Sequence, residues 1–276
     1  MSEYLRLNRA QWDERAPAHA ASPGYFVERF AADPAYLSDV IRFDRPRLGD
    51  VEGLRAVHLQ CHIGTDTLSL HRLGARVTGL DFSPASLEQA RALAERTGAG
   101  VDFVESDVYA ALDVLEPGSF DLVYTGVGAL CWLPDVRRWA AVVAGLLRPG
   151  GRLFIREGHP MLWSIDETRG DGVLAVDYPY FEREDPLVWD EGTTYVPTET
   201  KFVNTVTHQW NHGLGEIVGA VLGEGLELTM LQEHDSCPWD PMPGFCVGDE
   251  HGEYRLADRP ERLPLTYTLQ ARKRPV

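Results

Sequence analysis

Between residues 54 and 157 the chain alternates short apolar runs with amphipathic segments, and this alternation restricts the fold more than any other feature of the sequence. Segments 54–59, 76–80, 101–105, 120–124 and 152–156 read as strands, while 67–73, 86–97 and 136–147 carry helical spacing. Strand, helix and strand in that order predict a parallel, doubly wound sheet. The third helix is expected to stop at Arg148-Pro149-Gly150-Gly151, because proline and paired glycine do not sustain helical hydrogen bonding. Farther on, 214–222 reads as a helix and 226–233 and 264–272 as strands, which brings the sheet to seven. At the start, 4–15 reads as a helix, Ser22-Pro23-Gly24 as a loop and 25–30 as a second helical segment. The fold class expected is α/β, a Rossmann-like doubly wound sheet.

Bulk properties exclude several functions. A formal charge of −16 gives no basic footprint for nucleic acid or for an anionic membrane. No apolar run approaches the roughly 20 residues that cross a bilayer, and Met1-Ser2-Glu3-Tyr4-Leu5-Arg6 is not a targeting sequence. Cys61, Cys131, Cys237 and Cys246 form no C-x-x-C pair, so reduced thiols, no metal and a cytoplasmic location are expected. The oligomeric state is left open by the sequence.

Chemistry concentrates at the ends of the predicted strands. Strand one runs through Gln60-Cys61-His62-Ile63-Gly64 directly into a helix, the place where a doubly wound sheet binds its ligand. Strand two ends in Asp81-Phe82-Ser83-Pro84, and a carboxylate at that tip can accept both hydroxyls of a ribose. Ser83 and Pro84 equally suit the start of the next helix, where Asp81 would favour the helix dipole. Strand three ends in Glu105-Ser106-Asp107-Val108, placing a second acid on the same edge, suited to an adenine amino group.

In this order of loop, ribose acid, adenine acid, strand four and Leu147-Arg148-Pro149-Gly150-Gly151, residues 57–157 resemble the core of class I S-adenosylmethionine (SAM)-dependent methyltransferases. That family usually ends its first strand Asp-Leu-Gly-Cys-Gly-x-Gly, where this chain has His58-Leu59-Gln60-Cys61-His62-Ile63-Gly64. The variant loop, Cys131-Trp132-Leu133-Pro134-Asp135 and Glu157-x-His159-Pro160 are similar to a bacterial subgroup with a His-Leu-Gln-Cys-His loop. The resemblance implies an antiparallel last strand, SAM as cofactor, S-adenosylhomocysteine as product and a small molecule as methyl acceptor at N, O or C. It implies that Gln60, Cys61 and Gly64 line the methionine and ribose moieties, Asp81 holds the ribose, Phe82 lies on adenine, and Asp107 and Val108 grip its edge. Thr125 and Gly126 would approach the sulfonium, and the acid normally found at position 58 helps hold the methionine end. Asn8-x-x-x-Trp12-Asp13-Glu14-Arg15, with His19 and Tyr25, is similar to a segment that closes over the cofactor in that subgroup.

One domain is expected over 1–276: a helical lid at 1–45, the binding core at 46–159, a substrate-cover insert at 160–207 and the rest of the sheet at 208–276. Glu157 and His159 lie just past strand five and are candidates to position or deprotonate the acceptor, or else they only shape the turn. Trp12, Tyr25, Trp163 and Trp210 are candidate lid and substrate contacts, or simply packing aromatics. His208 and His212 lack the further ligand that a metal site needs. Two other readings compete: a non-catalytic SAM-binding regulatory protein, and an NAD-dependent oxidoreductase, for which the loop lacks G-x-G-x-x-G.

Overall fold

The computed structural model describes residues 2–166, 169 and 171–275; residues 1 and 276, and 167, 168 and 170 of the expected insert, lie outside the described residues. The helices are α1 (Glu3–Ala21), α2 (Val27–Ala32), α3 (Asp39–Leu48), α4 (Thr65–Arg72), α5 (Pro84–Thr97), α6 (Ala111–Val114), α7 (Val136–Leu146) and α8 (Leu214–Gly223). The strands are β1 (Arg55–Leu59), β2 (Arg76–Asp81), β3 (Asp102–Glu105), β4 (Phe120–Thr125), β5 (Leu147–Gly158), β6 (Leu187–Asp190), β7 (Val206–Gln209), β8 (Leu226–His234), β9 (Cys246–Gly248), β10 (Tyr254–Leu256) and β11 (Thr266–Lys273).

Seven strands form one sheet in the order β3-β2-β1-β4-β5-β11-β8. The first five pair in parallel, and β11 runs antiparallel between β5 and β8. The strand order reverses at β1 and β4, whose ends meet at Leu59 and Thr125. This is the switch point at which open α/β sheets bind ligands.

Period-two alternation gives each face its own core. Val57, Leu59, Val123, Leu153, Ile155 and Leu269 point toward α7 and α8, where Trp139 is fully buried. Ala56, Val77, Leu122, Tyr124 and Phe154 point the other way, against Ile41 and Leu48 of α3 and Leu70 of α4. His58 lies on this second side, edge-on to Tyr124.

The largest departures from the expected elements lie at α7 and β5, α1 and α3. Helix α7 ends at Leu146, and β5 begins at once, so Arg148-Pro149-Gly150-Gly151 lies inside the strand rather than in a turn. Pairing of Leu147 with Phe120 explains the early start, and the register then shifts before Leu122. Helix α1 continues through Pro17 to Ala21, because a buried face containing Asn8, Gln11, Arg15 and His19 outweighs the loss of one backbone donor. Helix α3, which contains Pro46, falls partly within the helical lid expected at 1–45 but was not delineated as a helix of its own.

Helix α3 also brings a carboxyl into the interior. Asp44 accepts the Tyr124 hydroxyl at 2.7 Å, and beside it Arg156 forms a buried bidentate pair with Glu253 at 2.9 and 2.7 Å. Burial pushes the Asp44 pKa up to about 7, against the opposing pull of Arg156. A raised carboxyl stabilises the fold fully below its ordinary value of 3.8, and that contribution is lost as pH climbs through about 7. The stability of the wild type minus that of Asp44→Asn is therefore expected to fall steadily across this window in urea unfolding. A difference that stays flat with pH would contradict the assignment.

Candidate cofactor site at the strand tips

The turn after β1 holds three residues in the left-handed region: Gln60 at φ 56°, His62 at 50° and Gly64 at 78°. For residues other than glycine this conformation costs about 1–2 kcal/mol each, so the surroundings must enforce it. They do so through hydrogen bonds. The Cys61 N–H donates to Leu80 O at 3.0 Å, the His62 N–H to Asp81 Oδ2 at 2.8 Å, and Gln60 Nε2 to Ala129 O at 2.9 Å. Gly64 caps α4 and has no side chain to satisfy the helix's first N–H groups. A Cβ at Gly64 would stand 2.8 Å from the Ala90 Cβ. Gly64→Ala is accordingly expected to cost about 2 kcal/mol in chemical unfolding, and no loss of stability would show that the turn can relax.

Asp81, at the tip of β2, is buried and accepts one N–H on each oxygen, from His62 and from Ser83 at 2.9 Å. A carboxylate oxygen has room for two donors, so Asp81 keeps accepting capacity on both. Burial raises its pKa to about 6, against the pull of those backbone donors. Asp107, past the tip of β3, accepts the Tyr109 N–H at 3.1 Å and caps the following turn; Val108 is buried beneath it and Phe82 is half-buried. Thr125 Oγ1 and Gln60 Oε1 are buried and have no hydrogen-bond partner among the described residues. Orphaned acceptors at the ends of two adjacent strands are costly unless a ligand meets them. Cys61 turns its thiol away, toward the space over Gly79, and only its backbone faces the turn.

Helix α1 lies over these tips, and its motif residues divide the work. Asn8 exchanges two hydrogen bonds with the His208 backbone in β7, both at 2.9 Å. Asp13 accepts the Ser83 hydroxyl at 2.7 Å. Glu14 accepts the N–H groups of Val203 and Asn204. The Arg15 guanidinium, fully buried over the Phe202 ring, donates to the carbonyls of Glu191, Thr193 and Asn204. Trp12 meets the rings of His62, His19 and Trp132 edge-on.

Below Trp12, four polar rings from separate segments converge. His19 Nδ1 lies 3.1 Å from His62 Nε2, and its Nε2 lies 2.7 Å from Thr194 Oγ1. The Tyr25 hydroxyl bonds to that of Tyr195 and lies 3.3 Å from His62 Nδ1. Burial pushes His19 down to about 4 and His62 well below its usual value, so both rings are neutral at physiological pH. Of this group the sequence singled out only Tyr25 as a site residue and placed His19 in the lid. The available signal was the pair of non-glycine residues, Gln60 and His62, where a tight turn calls for glycine.

Glu157 and His159, expected on the acceptor side, are engaged elsewhere. Glu157 accepts four backbone N–H groups, from Gly128, Ala129, Leu130 and Gly158 at 2.6–3.0 Å, which fills its lone pairs and organises the loop after β4. His159 Nδ1 accepts the Met161 N–H at 3.0 Å, so its proton sits on Nε2 and goes to Glu233, also at 3.0 Å. Neither retains a free proton-accepting atom. Trp163 packs over Gly158 at the end of β5 and stacks on Trp239. Trp210 is buried, donates to Glu184 O at 3.3 Å and meets Tyr4 of α1 edge-on. Among the described residues no group of three or more side chains could hold a metal ion, and no helix is long and apolar enough to cross a membrane.

This geometry has known counterparts. Residues 57–155 match the methyltransferase domain family. The ubiquinone biosynthesis O-methyltransferase of Xanthomonas euvesicatoria pv. vesicatoria is 36% identical over 106 residues, covering 38% of this chain and 44% of that protein. Its namesake from a Methylobacterium is 30% identical over 159 residues, covering 56% of this chain and 60% of that protein. The chain thus spans about half the length of the curated relatives it matches. A Mesorhizobium loti SAM-dependent methyltransferase structure superposes with a TM-score of 0.58 at 24% identity, covering 85% of this chain and 98% of that one. A putative SAM-dependent methyltransferase from Listeria monocytogenes gives 0.60 at 17%, covering 86% and 97%. The architecture is the class I methyltransferase fold.

Proposed function

We propose that this protein is a SAM-dependent methyltransferase acting on a small molecule, of the subgroup with a His-Leu-Gln-Cys-His turn, working in the cytoplasm. The observation that carries the reading is Asp81, a buried carboxylate at the β2 tip that keeps accepting capacity on both oxygens beside a strained turn. The methyltransferase match over residues 57–155 supports it. When bound, SAM supplies a methyl group on a sulfonium, a leaving group that needs no further activation.

The chain's own residues then bind, orient and exclude water. Asp81 accepts the ribose hydroxyls, Asp107 and Val108 take the adenine edge, and Phe82 covers its face. Gln60 Oε1 and Thr125 Oγ1 meet polar atoms at the methionine end, beside Gly126. Helix α1 and the 187–209 hairpin close over the site as one unit, tied by Asn8, Glu14 and Arg15. On this reading the lid at 1–45 and the cover at 160–207 work with the core as one functional domain.

For the acceptor we favour an oxygen nucleophile, as in the relatives named for ubiquinone O-methylation. Neutral His19 and His62, bonded to each other, to Thr194 and to Tyr25, present a polar, uncharged wall that suits a hydroxyl acceptor and no ring placed for full proton removal. The test is S-adenosylhomocysteine release with phenols, amines and activated carbon acids as separate arms. Turnover confined to phenols supports the reading, turnover only with amines overturns the choice of oxygen, and SAM binding without turnover in any arm favours a regulatory protein.

A further inference from the structure

The methyltransferase family places an acid at the position occupied here by His58, and this ring brings no negative charge. His58 is buried, its Nδ1 lies 2.8 Å from Thr67 Oγ1, and burial drives its pKa down to about 3. A charge of the missing sign stands close by on another element. A Cβ built on Gly126, just past the β4 tip, would lie 3.4 Å from His58 Nε2 and 3.5 Å from Asp66 Oδ2. Asp66 belongs to the first turn of α4, eight residues beyond His58, yet the turn at Gln60–Gly64 folds it back to the same point.

Resting on the methyltransferase reading above, we infer that Asp66 has taken over the work of the lost strand-tip acid and holds the α-ammonium group at the methionine end of SAM. His58 Nδ1 pairs with Thr67 Oγ1, and the tautomer that donates there leaves Nε2 as a second acceptor for the ammonium. Gly126 leaves the approach free of a side chain. The lid reaches the same place, since the Tyr25 and Tyr195 hydroxyls both feel the Asp66 charge, which adds to burial in holding their protons. Asp66 is half-buried in the first turn of α4, where burial raises its pKa to about 6 against the pull of a Ser38 hydrogen bond and of Arg156.

Calorimetry with two ligands provides the test: S-adenosylhomocysteine, and its deaminated analogue lacking the α-ammonium. The unaltered protein should bind the first about 10- to 100-fold more tightly, the worth of a charge-assisted hydrogen bond. Asp66→Asn should lose that preference by weakening S-adenosylhomocysteine alone, and adding His58→Asp should restore it. Equal affinity for the two ligands in the unaltered protein overturns the inference without any variant. So does an Asp66→Asn protein that binds S-adenosylhomocysteine at full strength, or one that weakens both ligands equally. Failure of the unaltered protein to bind S-adenosylhomocysteine overturns the methyltransferase reading itself.

Discussion

Replacing Asp81 with alanine should reduce affinity for S-adenosylhomocysteine by about 10²- to 10³-fold, while Asp81→Asn should lose less. Two effects combine. The carboxylate is the group assigned to the ribose hydroxyls, and bonds to a charged acceptor contribute about 1.5–3 kcal/mol each. It also receives the His62 N–H at 2.8 Å and so helps hold that residue at φ 50°. Asparagine keeps one accepting oxygen, enough for the His62 N–H but not for that of Ser83 as well, so it retains part of the turn while losing the charge. Calorimetry on both variants, with thermal unfolding as the check on folding, measures the effect. Unchanged affinity in Asp81→Ala would remove the ribose assignment.

Arg15→Ala should destabilise the protein by about 3–5 kcal/mol, with the damage concentrated in the 187–209 hairpin. The guanidinium is buried, lies 4.4 Å over the Phe202 ring and supplies donors to the carbonyls of Glu191, Thr193 and Asn204. Truncation leaves those carbonyls without their donor and opens a cavity beneath α1. Lysine keeps the charge but not the planar fork, so Arg15→Lys should fall between alanine and wild type. Because Thr194 and Tyr195 follow Thr193 and bond to His19 and Tyr25, ligand affinity should drop along with stability. Hydrogen exchange resolved by segment provides the measurement. Uniform destabilisation, with 187–209 no more exposed than the sheet, would contradict the clamp.

The parallel sheet was legible because its strands carry continuous apolar runs broken by helical spacing, a pattern visible in one dimension. The count of seven strands and the acids at two strand tips followed from it. What escaped depends on contacts made far along the chain. Helix α1 outlasts Pro17 because Arg15 and His19 are buried against the 191–204 segment, more than 170 positions away. Glu157 reads as an available acid in sequence, and only the loop folded back at Gly128–Leu130 fills its lone pairs. Asp66 stands one residue before the helix expected at 67–73, and only the folded turn shows that it returns to His58. The odd residues of that turn, Gln60 and His62, were readable as departures, yet their consequence required the backbone angles.

The most direct measurement is calorimetric titration of the unaltered protein with SAM, S-adenosylhomocysteine and NAD in parallel. One molecule of SAM or of S-adenosylhomocysteine should bind per chain, and NAD should give no heat of binding. Binding of NAD without SAM, or of neither, would contradict the assignment of the strand tips to an adenosyl methyl donor.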